Sequence, residues 1–357
     1  MLSPIRVLVV DDSALIRQML THALSLDPRI EIAGIARTGV EAIEKAVRLE
    51  PDVITLDIEM PELTGLEALP FIIRDTRARV LMLSSLDDPE TTYAALSAGA
   101  VDFIAKPKGG FASSLSDLAD LLIKKIKIAY RIDPEKRLSV PGIGSDGDAE
   151  AGRSRPVSAG DRAAASRLVV LAASTGGPPA LERVFSGLSS EASAAYLVVQ
   201  HLPAGFTASF AKRLSRIAGF PILEGRQGLM IEPGVGYLAP HGTHMLVHTS
   251  ARKMPTLALS DAPALHGVRP SADPMFESAA AAYGASVTGV VLTGMGQDGA
   301  AGMRAIRDAG GRTIVQDEAS SVVWGMPGAA VRQGAAQTVV PLDRVAVEIR
   351  RTVREGS

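Results

Sequence analysis

The sequence has no cysteine, which excludes disulfide bonds, thiolate nucleophiles and metal centres held by cysteine. Aromatic residues make up only 4% of the 357 residues, so an aromatic-rich binding module is not expected. Neither sign of charge dominates, with 37 Lys and Arg against 39 Asp and Glu, which argues against nucleic acid as a partner. One long uncharged stretch, 278–297, contains four glycines and is too polar for a membrane span. We therefore expect a cytoplasmic protein without membrane insertion, and a monomer as the default state.

What the sequence does contain is enough apolar material, 46% of its residues, to build packed cores. Its length exceeds the roughly 250–300 residues at which a single core stops growing, so two domains are expected. Short apolar runs alternate with amphipathic helical stretches, a pattern typical of a parallel sheet covered on both faces. The predicted strands are 5–10, 30–35, 52–56, 80–83 and 101–104, and later 168–172, 196–200, 235–239, 245–248, 287–292 and 313–316.

A compositional change separates the two series of strands. Twelve of the 31 residues 136–166 are Gly, Pro or Ser, and no periodicity runs through them, which is typical of a linker. We predict a first domain over 1–125, a flexible linker over 126–166 and a second domain over 167–350. The expected fold class is α/β, with two doubly wound parallel-sheet domains.

Polar side chains follow the predicted strands of the first domain. They are Asp11 and Asp12, Asp57, Ser84 and Lys106. Because the carboxyl ends of parallel strands meet at one edge of a sheet, these residues can converge there. Three carboxylates suit a hard cation such as Mg²⁺, and a carboxylate beside a metal, a lysine and a hydroxyl can accept a phosphoryl group. Each residue alone is more often structural, since an Asp at a strand end is a common helix cap and a lone Ser or Lys carries little information. The order of all five supports the prediction.

The segments VLVVDDS, LDIEMPELTG, VLMLSS and AGAVDFIAKP resemble the motifs of response-regulator receiver domains, over residues 1 to about 125. The resemblance implies a flavodoxin-like fold. It implies that Asp57 is phosphorylated by a chemotaxis histidine kinase and that Asp11, Asp12 and Asp57 bind Mg²⁺. It also implies that Ser84 and Lys106 contact the phosphoryl group.

The second domain opens with an apolar strand that runs into Ser174, two glycines and two prolines. This order predicts a tight turn followed by a helix, with the serine hydroxyl near the unpaired N–H groups of the helix start. Ser174 could be a nucleophile beside an oxyanion site, a helix cap, or part of a turn that binds phosphate. The segment alone leaves these alternatives open.

Histidines offer the next candidates. His201 directly follows the next predicted strand, where it can lie beside the first strand's end. His241, His244 and His248 lie close together and raise the possibility of a zinc site. No HExxH pattern is present, however, and we expect no metal in the second domain.

The loop 294–299 has the GxGxxG spacing of a dinucleotide-binding turn and lies between a predicted strand and a helix. Asp298 would put a carboxylate where such a loop holds pyrophosphate, and the unit comes late in the domain instead of opening it. A loop that directs Asp298 towards Ser174 and His201 explains the same residues without this conflict. The three then form a nucleophile, a general base and an orienting carboxylate.

The segments AASTGGP, QHLP, YLAP, RPSADPMFES and LTGMGQDGA resemble the catalytic domain of receptor protein-glutamate methylesterases. The resemblance implies that Ser174 is the nucleophile, His201 the base and Asp298 its orienting partner, with the backbone around Met295 at the oxyanion site. It implies hydrolysis of glutamate γ-methyl esters, and deamidation of certain glutamines, on the cytoplasmic helices of chemoreceptors. Phosphorylation of Asp57 is expected to activate this reaction, which serves chemotactic adaptation.

Two functions of other classes remain to be weighed. One is a binding module that is controlled by phosphorylation and has no turnover; the complete Ser174, His201 and Asp298 set argues against it. The other is a DNA-binding regulator, which many receiver domains serve. The second half of the chain has neither a helix-turn-helix pattern nor a basic stripe, so this function is disfavoured.

Overall fold

The computed structural model describes residues 3–85, 88–106, 115–134, 164–190, 193–250 and 253–355. It divides into two compact units, Met1–Gly142 and Ile143–Ser357. Each unit contains its own parallel sheet with helices between the strands, which confirms the α/β fold class. None of the described helices combines the length and the apolar character that crossing a membrane requires.

Within its described residues, the first unit alternates five strands with five helices. The strands are β1 (Ile5–Val10), β2 (Ile30–Ala36), β3 (Val53–Asp57), β4 (Arg79–Ser84) and β5 (Asp102–Ala105). The helices are α1 (Ala14–Ser25), α2 (Gly39–Leu49), α3 (Gly65–Asp75), α4 (Pro89–Ser97) and α5 (Leu115–Arg131). All strands are parallel in the order β2-β1-β3-β4-β5, and the middle strands are buried along nearly their whole length.

The second unit contains nine strands and six α-helices within its described residues. The strands are β6 (Arg167–Ala173), β7 (Ala194–Gln200), β8 (Ile222–Glu224), β9 (Gly236–Leu238), β10 (His244–Ser250), β11 (Lys253–Ser260), β12 (Val287–Val291), β13 (Arg312–Gln316) and β14 (Thr338–Val340). The helices are α6 (Gly177–Ser186), α7 (Thr207–Ala218), α8 (Ala272–Tyr283), α9 (Ala300–Asp308), α10 (Met326–Arg332) and α11 (Leu342–Arg354).

Seven strands of the second unit form one parallel sheet in the order β14-β13-β12-β6-β7-β9-β8. The other two strands, β10 and β11, pair with each other in an antiparallel hairpin. The hairpin attaches to α8, where the backbone N–H of Val247 donates to the Ser278 hydroxyl at 3.0 Å. The strand predicted at 245–248 thus exists, but it lies outside the parallel sheet.

Helix α5 continues to Arg131, past residue 125 where we predicted the first domain to end. Its last turns are part of the first unit, because Ala129 and the following Ile132 are buried. Most of the expected linker, residues 135–163, lies outside the described residues.

In each sheet, the chain winds in opposite directions from the first strand of the unit. In the first sheet β1 lies between β2 and β3, and in the second β6 lies between β7 and β12. The connections leave such neighbouring strands in opposite directions, so a crevice opens at their carboxyl ends. Asp11 follows β1, whereas Ser174 follows β6, so the candidate residues of both units lie at these crevices.

Candidate phosphoacceptor and active sites

The first crevice brings together an ammonium group and two buried carboxylates. Asp57 ends β3 and is 2% exposed. Lys106 follows β5 and places its Nζ 2.7 Å from Asp57 Oδ2 and 2.9 Å from Asp11 Oδ2. Its backbone N–H donates to the carbonyl of Ser84 at 2.8 Å, which fixes the residue at the strand end.

Burial raises the pKa of Asp57 to about 7. Lys106 lowers this pKa, whereas repulsion by the Asp11 carboxylate raises it further. Burial alone would lower the pKa of Lys106, but the two carboxylates raise it above its ordinary value. The ammonium is therefore charged, and it partly compensates the carboxylates of the crevice.

The loop after β3 approaches the Asp57 backbone very closely. A Cβ on Gly65 would lie 1.8 Å from the Asp57 carbonyl oxygen, so only glycine fits there. Thr64 caps helix α3 in a capping box: its hydroxyl accepts from the Glu67 N–H, and its own N–H donates to the Glu67 carboxylate at 2.9 Å. The cap and the glycine together hold α3 directly against the candidate phosphoacceptor.

The same crevice could hold a cation. Asp11, Asp12 and Asp57 each offer a carboxylate oxygen, and these atoms lie within 4.8 Å of one another. A set of hard oxygen donors beside open space, since Asp12 is exposed, fits Mg²⁺, which usually keeps several water ligands.

Ser84 lies at the carboxyl end of β4, where the sequence predicted it, and is 1% exposed. Its hydroxyl lies 2.5 Å from the Thr92 hydroxyl of α4 and donates to the Ser85 carbonyl at 2.9 Å. Thr92 was not expected from the sequence, because its contact with Ser84 depends on how α4 packs against β4. The predicted contact of Ser84 with a phosphoryl group stays a prediction.

Replacement of Asp57 by asparagine is expected to stabilise the first unit, more at pH 8 than at pH 5, when divalent metal is absent. The ordinary pKa of the Asp57 carboxyl is 3.8, and its folded value of about 7 is higher. The stability that protonation of Asp57 contributes is therefore complete below pH 3.8 and is lost as the pH rises through about 7. Asparagine avoids this loss. We expect Tm gains of several degrees, at roughly 2–4 °C per kcal/mol for a unit that approaches 150 residues.

Calorimetry of the full chain in EDTA at the two pH values measures this difference. Asp12→Asn is the matched control, because its exposed side chain lies at the same edge, and it should gain little at either pH. Equal gains for Asp57→Asn at pH 5 and pH 8 would contradict the assignment of the shift to burial.

In the second crevice, Ser174 occupies the turn between β6 and α6, and its side chain is half-buried. Its backbone N–H donates to the Thr293 carbonyl at 3.0 Å, and its carbonyl accepts from the N–H of Gly177 at 2.7 Å. Gly176 has a φ of +73°, a conformation that glycine adopts without strain. The sharp turn lifts the serine side chain to the start of a helix, as the sequence predicted.

His201 follows β7, the neighbour of β6, and its backbone N–H donates to the Ala173 carbonyl at 3.3 Å. Its ring Nε2 lies 2.8 Å from Asp298 Oδ2, and the Asp298 carboxylate is 2% exposed. Because Nε2 is engaged by the carboxylate, Nδ1 is the ring nitrogen that remains for Ser174.

The Asp298 carboxylate rests on the first turn of α8. It accepts from the Ser271 hydroxyl at 2.5 Å, and from the backbone N–H groups of Ala272 at 2.8 Å and Asp273 at 3.3 Å. Burial alone would raise the pKa of Asp298, but the hydrogen bonds from His201, Ser271 and Ala272 lower it below its ordinary value. The group is thus held ionised and in a fixed orientation.

The loop that carries Asp298 also contacts Ser174. A Cβ on Gly294 would lie 2.9 Å from the Ser174 Cβ and 2.4 Å from the Met326 sulfur, so the approach requires glycine. Met295 comes next, with its side chain 37% exposed. Its backbone thus follows directly on the residue that touches the serine, while its predicted oxyanion role stays a prediction.

Among the described residues, the three clustered histidines are not part of a group whose ligand atoms lie close enough to share a metal ion. His244 is 1% exposed; its Nδ1 accepts from the Ser271 N–H at 3.1 Å, and its Nε2 donates to the Pro263 carbonyl at 3.1 Å. His241 donates from Nδ1 to the Leu202 carbonyl at 2.8 Å, whereas His248 is exposed on the hairpin. His244 therefore fastens the backbone of the residue whose hydroxyl holds Asp298.

Another group, His266, Asp273 and Asp298, also has ligand atoms within 4.8 Å of one another. Its donors are occupied by protein partners: His266 Nε2 lies 2.9 Å from Asp273 Oδ2, and the other Asp273 oxygen accepts from the Gly302 N–H at 2.8 Å. The absence of a metal from the second domain stays a prediction.

The residues that support this site without taking part in acid–base chemistry were not among those expected from the sequence. Ser271 and Gln200 are the main ones, and both lie inside the segments RPSADPMFES and QHLP. Gln200 directly precedes His201, and Ser271 lies within a segment that carries the family resemblance. This proximity to other candidate positions is the only sign of their role that the sequence offers.

Fold and site define a two-domain α/β protein in which a receiver-like unit with a carboxylate cluster precedes a unit with a serine–histidine–aspartate group. Models of two families match the chain: CheB methylesterase over residues 169–349, and response regulator receiver domain over residues 7–111. The chain belongs to the CheB methylesterase family and carries a response regulator receiver domain before the methylesterase domain.

Relatives span nearly the whole chain. A protein-glutamate methylesterase/protein-glutamine glutaminase of Pyrococcus abyssi is 43% identical over 351 residues, covering 98% of this chain and 94% of that protein. One of the same name from Symbiobacterium thermophilum is 43% identical over 360 residues, covering 99% and 98%. The crystal structure of the Thermotoga maritima CheB methylesterase catalytic domain is 32% identical with a TM-score of 0.50, and covers 52% of this chain and 97% of that one.

Proposed function

We propose that this protein hydrolyses glutamate γ-methyl esters on the cytoplasmic helices of chemoreceptors, and deamidates certain glutamines there, when Asp57 is phosphorylated. The observation that carries the proposal is the His201–Asp298 pair, 2.8 Å apart, at the same sheet crevice as Ser174. It occurs in a chain that matches protein-glutamate methylesterase/protein-glutamine glutaminases along nearly its full length.

In the proposed reaction, Ser174 Oγ attacks the ester carbonyl while His201 Nδ1 takes the hydroxyl proton. The imidazolium that forms is stabilised by the ionised Asp298 at Nε2. The proton then passes to the methoxy oxygen, the C–O bond breaks, and methanol leaves an acyl-enzyme. Water attacks this ester by the same route and releases the glutamate carboxylate. A glutamine side chain gives the same acyl-enzyme, with ammonia as the leaving group.

The carbonyl oxygen gains negative charge in both steps and needs hydrogen-bond donors. We assign this role to backbone N–H groups beside Ser174, with the Met295 segment as the candidate. Gly294 supports this assignment. It lies in close contact with Ser174, so the peptide group that joins Gly294 to Met295 lies near the serine.

In the receiver domain, the proposal makes Asp57 the phosphoacceptor and Asp11, Asp12 and Asp57 the ligands of Mg²⁺. The bound cation would compensate the charge of the phosphoryl oxygens during transfer. Lys106, already within 2.7 Å of Asp57, would pair with a phosphoryl oxygen, and Ser84 would turn its hydroxyl from Thr92 to another. The partners are therefore a chemotaxis histidine kinase as phosphodonor and the receptor as protein substrate. Both place the chain in the cytoplasm, and we propose a monomer.

Methanol release from membranes that bear methylated chemoreceptors tests the proposal. The assay uses Mg²⁺, with and without a small-molecule phosphodonor, for the wild type and Asp57→Ala. We expect the phosphodonor to stimulate methanol release by about tenfold or more in the wild type and to have no effect in the variant. A tenfold stimulation corresponds to a decrease of about 1.4 kcal/mol in the activation free energy. Release that ignores the donor would contradict the control by Asp57. No release from folded protein that still takes phosphate would favour a binding role.

A further inference from the structure

One buried amide contacts the backbones of both Ser174 and His201. Gln200 is the last residue of β7 and is 3% exposed. Its Nε2 donates to the Ser174 carbonyl at 3.0 Å and to the His201 carbonyl at 3.3 Å. Both hydrogens of this NH₂ group are thus directed at the two residues that the proposed reaction requires to meet.

The other end of the amide is not satisfied. Gln200 Oε1 is buried and has no hydrogen-bond partner among the described residues. A Cβ on Gly177 would lie only 1.9 Å from this oxygen, so the amide reaches its position because residue 177 is glycine. A buried acceptor without a partner costs about 1–3 kcal/mol, and an apolar side chain of the same length would avoid that cost. Packing alone therefore does not account for an amide at this position, whereas its two donors do.

The donors act on the geometry of the nucleophile. The Ser174 carbonyl accepts from Gln200 and, at 2.7 Å, from the Gly177 N–H. Because a peptide group is planar, fixing the direction of this carbonyl fixes the plane of the peptide that follows Ser174. The same amide restrains the peptide that follows His201. Relative movement of the two strand ends therefore requires that one of these hydrogen bonds lengthens.

We propose that Gln200 is a positioning residue, whose amide sets the serine backbone against the histidine backbone without touching a reacting atom. The inference rests on the proposed roles of Ser174 and His201. Errors of about 1 Å in the placement of reacting groups can cost up to 10²-fold in rate, so loss of the amide should lower reactivity without changing substrate affinity.

Gln200→Met tests the inference, since methionine keeps the length and removes both donors. Gln337→Met is the matched control. Gln337 also binds backbone through its amide, accepting from the Thr313 N–H at 2.9 Å, but it lies at the β13–β14 edge. The first measurement is the rate constant with which a fluorophosphonate labels Ser174, which requires no receptor. The second is methanol release, from which kcat and KM are obtained per labelled site.

We expect Gln200→Met to lower both the labelling rate and kcat by about 10- to 100-fold, with KM within about twofold of the wild type. Gln337→Met should leave all three near their wild-type values. A wild-type labelling rate in Gln200→Met, or equal losses in both variants, would overturn the inference. If the wild type is labelled but releases no methanol, the proposed function fails, and the labelling rates alone decide the role of Gln200.

A second variant serves if Gln200→Met does not fold. Gly177→Ala retains the amide but places a methyl group 1.9 Å from its oxygen, so the side chain must move. The labelling rate should then fall in the same direction as for the methionine variant. A labelling rate equal to that of the wild type in folded Gly177→Ala would contradict the inference, because the displaced amide would have proved unnecessary.

Discussion

Ser174→Ala is expected to abolish methanol release from methylated receptors while Asp57 still accepts phosphate. Alanine removes the oxygen that attacks the ester. In enzymes with a serine–histidine–aspartate group, loss of the nucleophile costs on the order of 10⁶ in kcat. The remaining rate, of order 10³–10⁴ over water, comes from binding and the oxyanion site. Receptor methanol release and phosphoryl incorporation, measured on the same preparation, check both parts of the expectation.

Ser186→Ala provides the matched control for this variant. Ser186 ends the helix that Ser174 precedes, it is exposed, and its hydroxyl donates to the Arg183 carbonyl. Its loss should leave turnover near the wild-type value. If Ser174→Ala retained more than a few percent of wild-type turnover, the assignment of Ser174 as the nucleophile would be wrong, whatever the behaviour of the control.

The fold was predictable where strands are long and buried on both faces. Such strands read as continuous apolar runs, and the five runs of the first domain agree with β1–β5 to within about one residue at most ends. Two strands of the second sheet, Ile222–Glu224 and Thr338–Val340, were not predicted, because a strand of three residues is too short to show periodicity. The run 245–248 was recognised as a strand, but its pairing in a separate hairpin depends on β11 and α8, which local sequence does not reveal.

The positions of the candidate residues were predictable for a topological reason. Parallel strands bring their carboxyl ends to one edge, so polar residues after successive strands converge although they are far apart in sequence. The supporting residues were not predictable in this way. Ser271 and His244 come from a helix start and a hairpin, and their contacts with Asp298 depend on how these elements pack. Gln200 binds backbone carbonyl groups, and because every residue has one, the sequence does not indicate which carbonyl a side chain will contact.

Asp298→Asn is expected to lower kcat by about 10³–10⁴ with little change in KM, because it reverses the hydrogen-bond direction at His201. Both carboxylate oxygens of Asp298 accept: one from the Ser271 hydroxyl, the other from the Ala272 N–H and His201 Nε2. An asparagine must place its NH₂ group at one of these positions. Where the NH₂ group faces His201, Nε2 can only accept, so the ring proton lies on Nδ1, where Ser174 needs a base. In either orientation the negative charge that stabilises the imidazolium is lost.

Kinetics of methanol release and the fluorophosphonate labelling rate of Ser174 measure this effect, and both should fall together. Asp317→Asn is the matched control: Asp317 follows β13 as a strand-end carboxylate and accepts from the Ser320 N–H at 2.9 Å, but it contacts no histidine. Ser271→Ala removes one partner of Asp298 and leaves the carboxylate, so its loss should be about tenfold, the size of one charged hydrogen bond. If kcat fell no further in Asp298→Asn than in Ser271→Ala, the carboxylate would serve only to bind the first turn of α8. Another group would then have to orient His201.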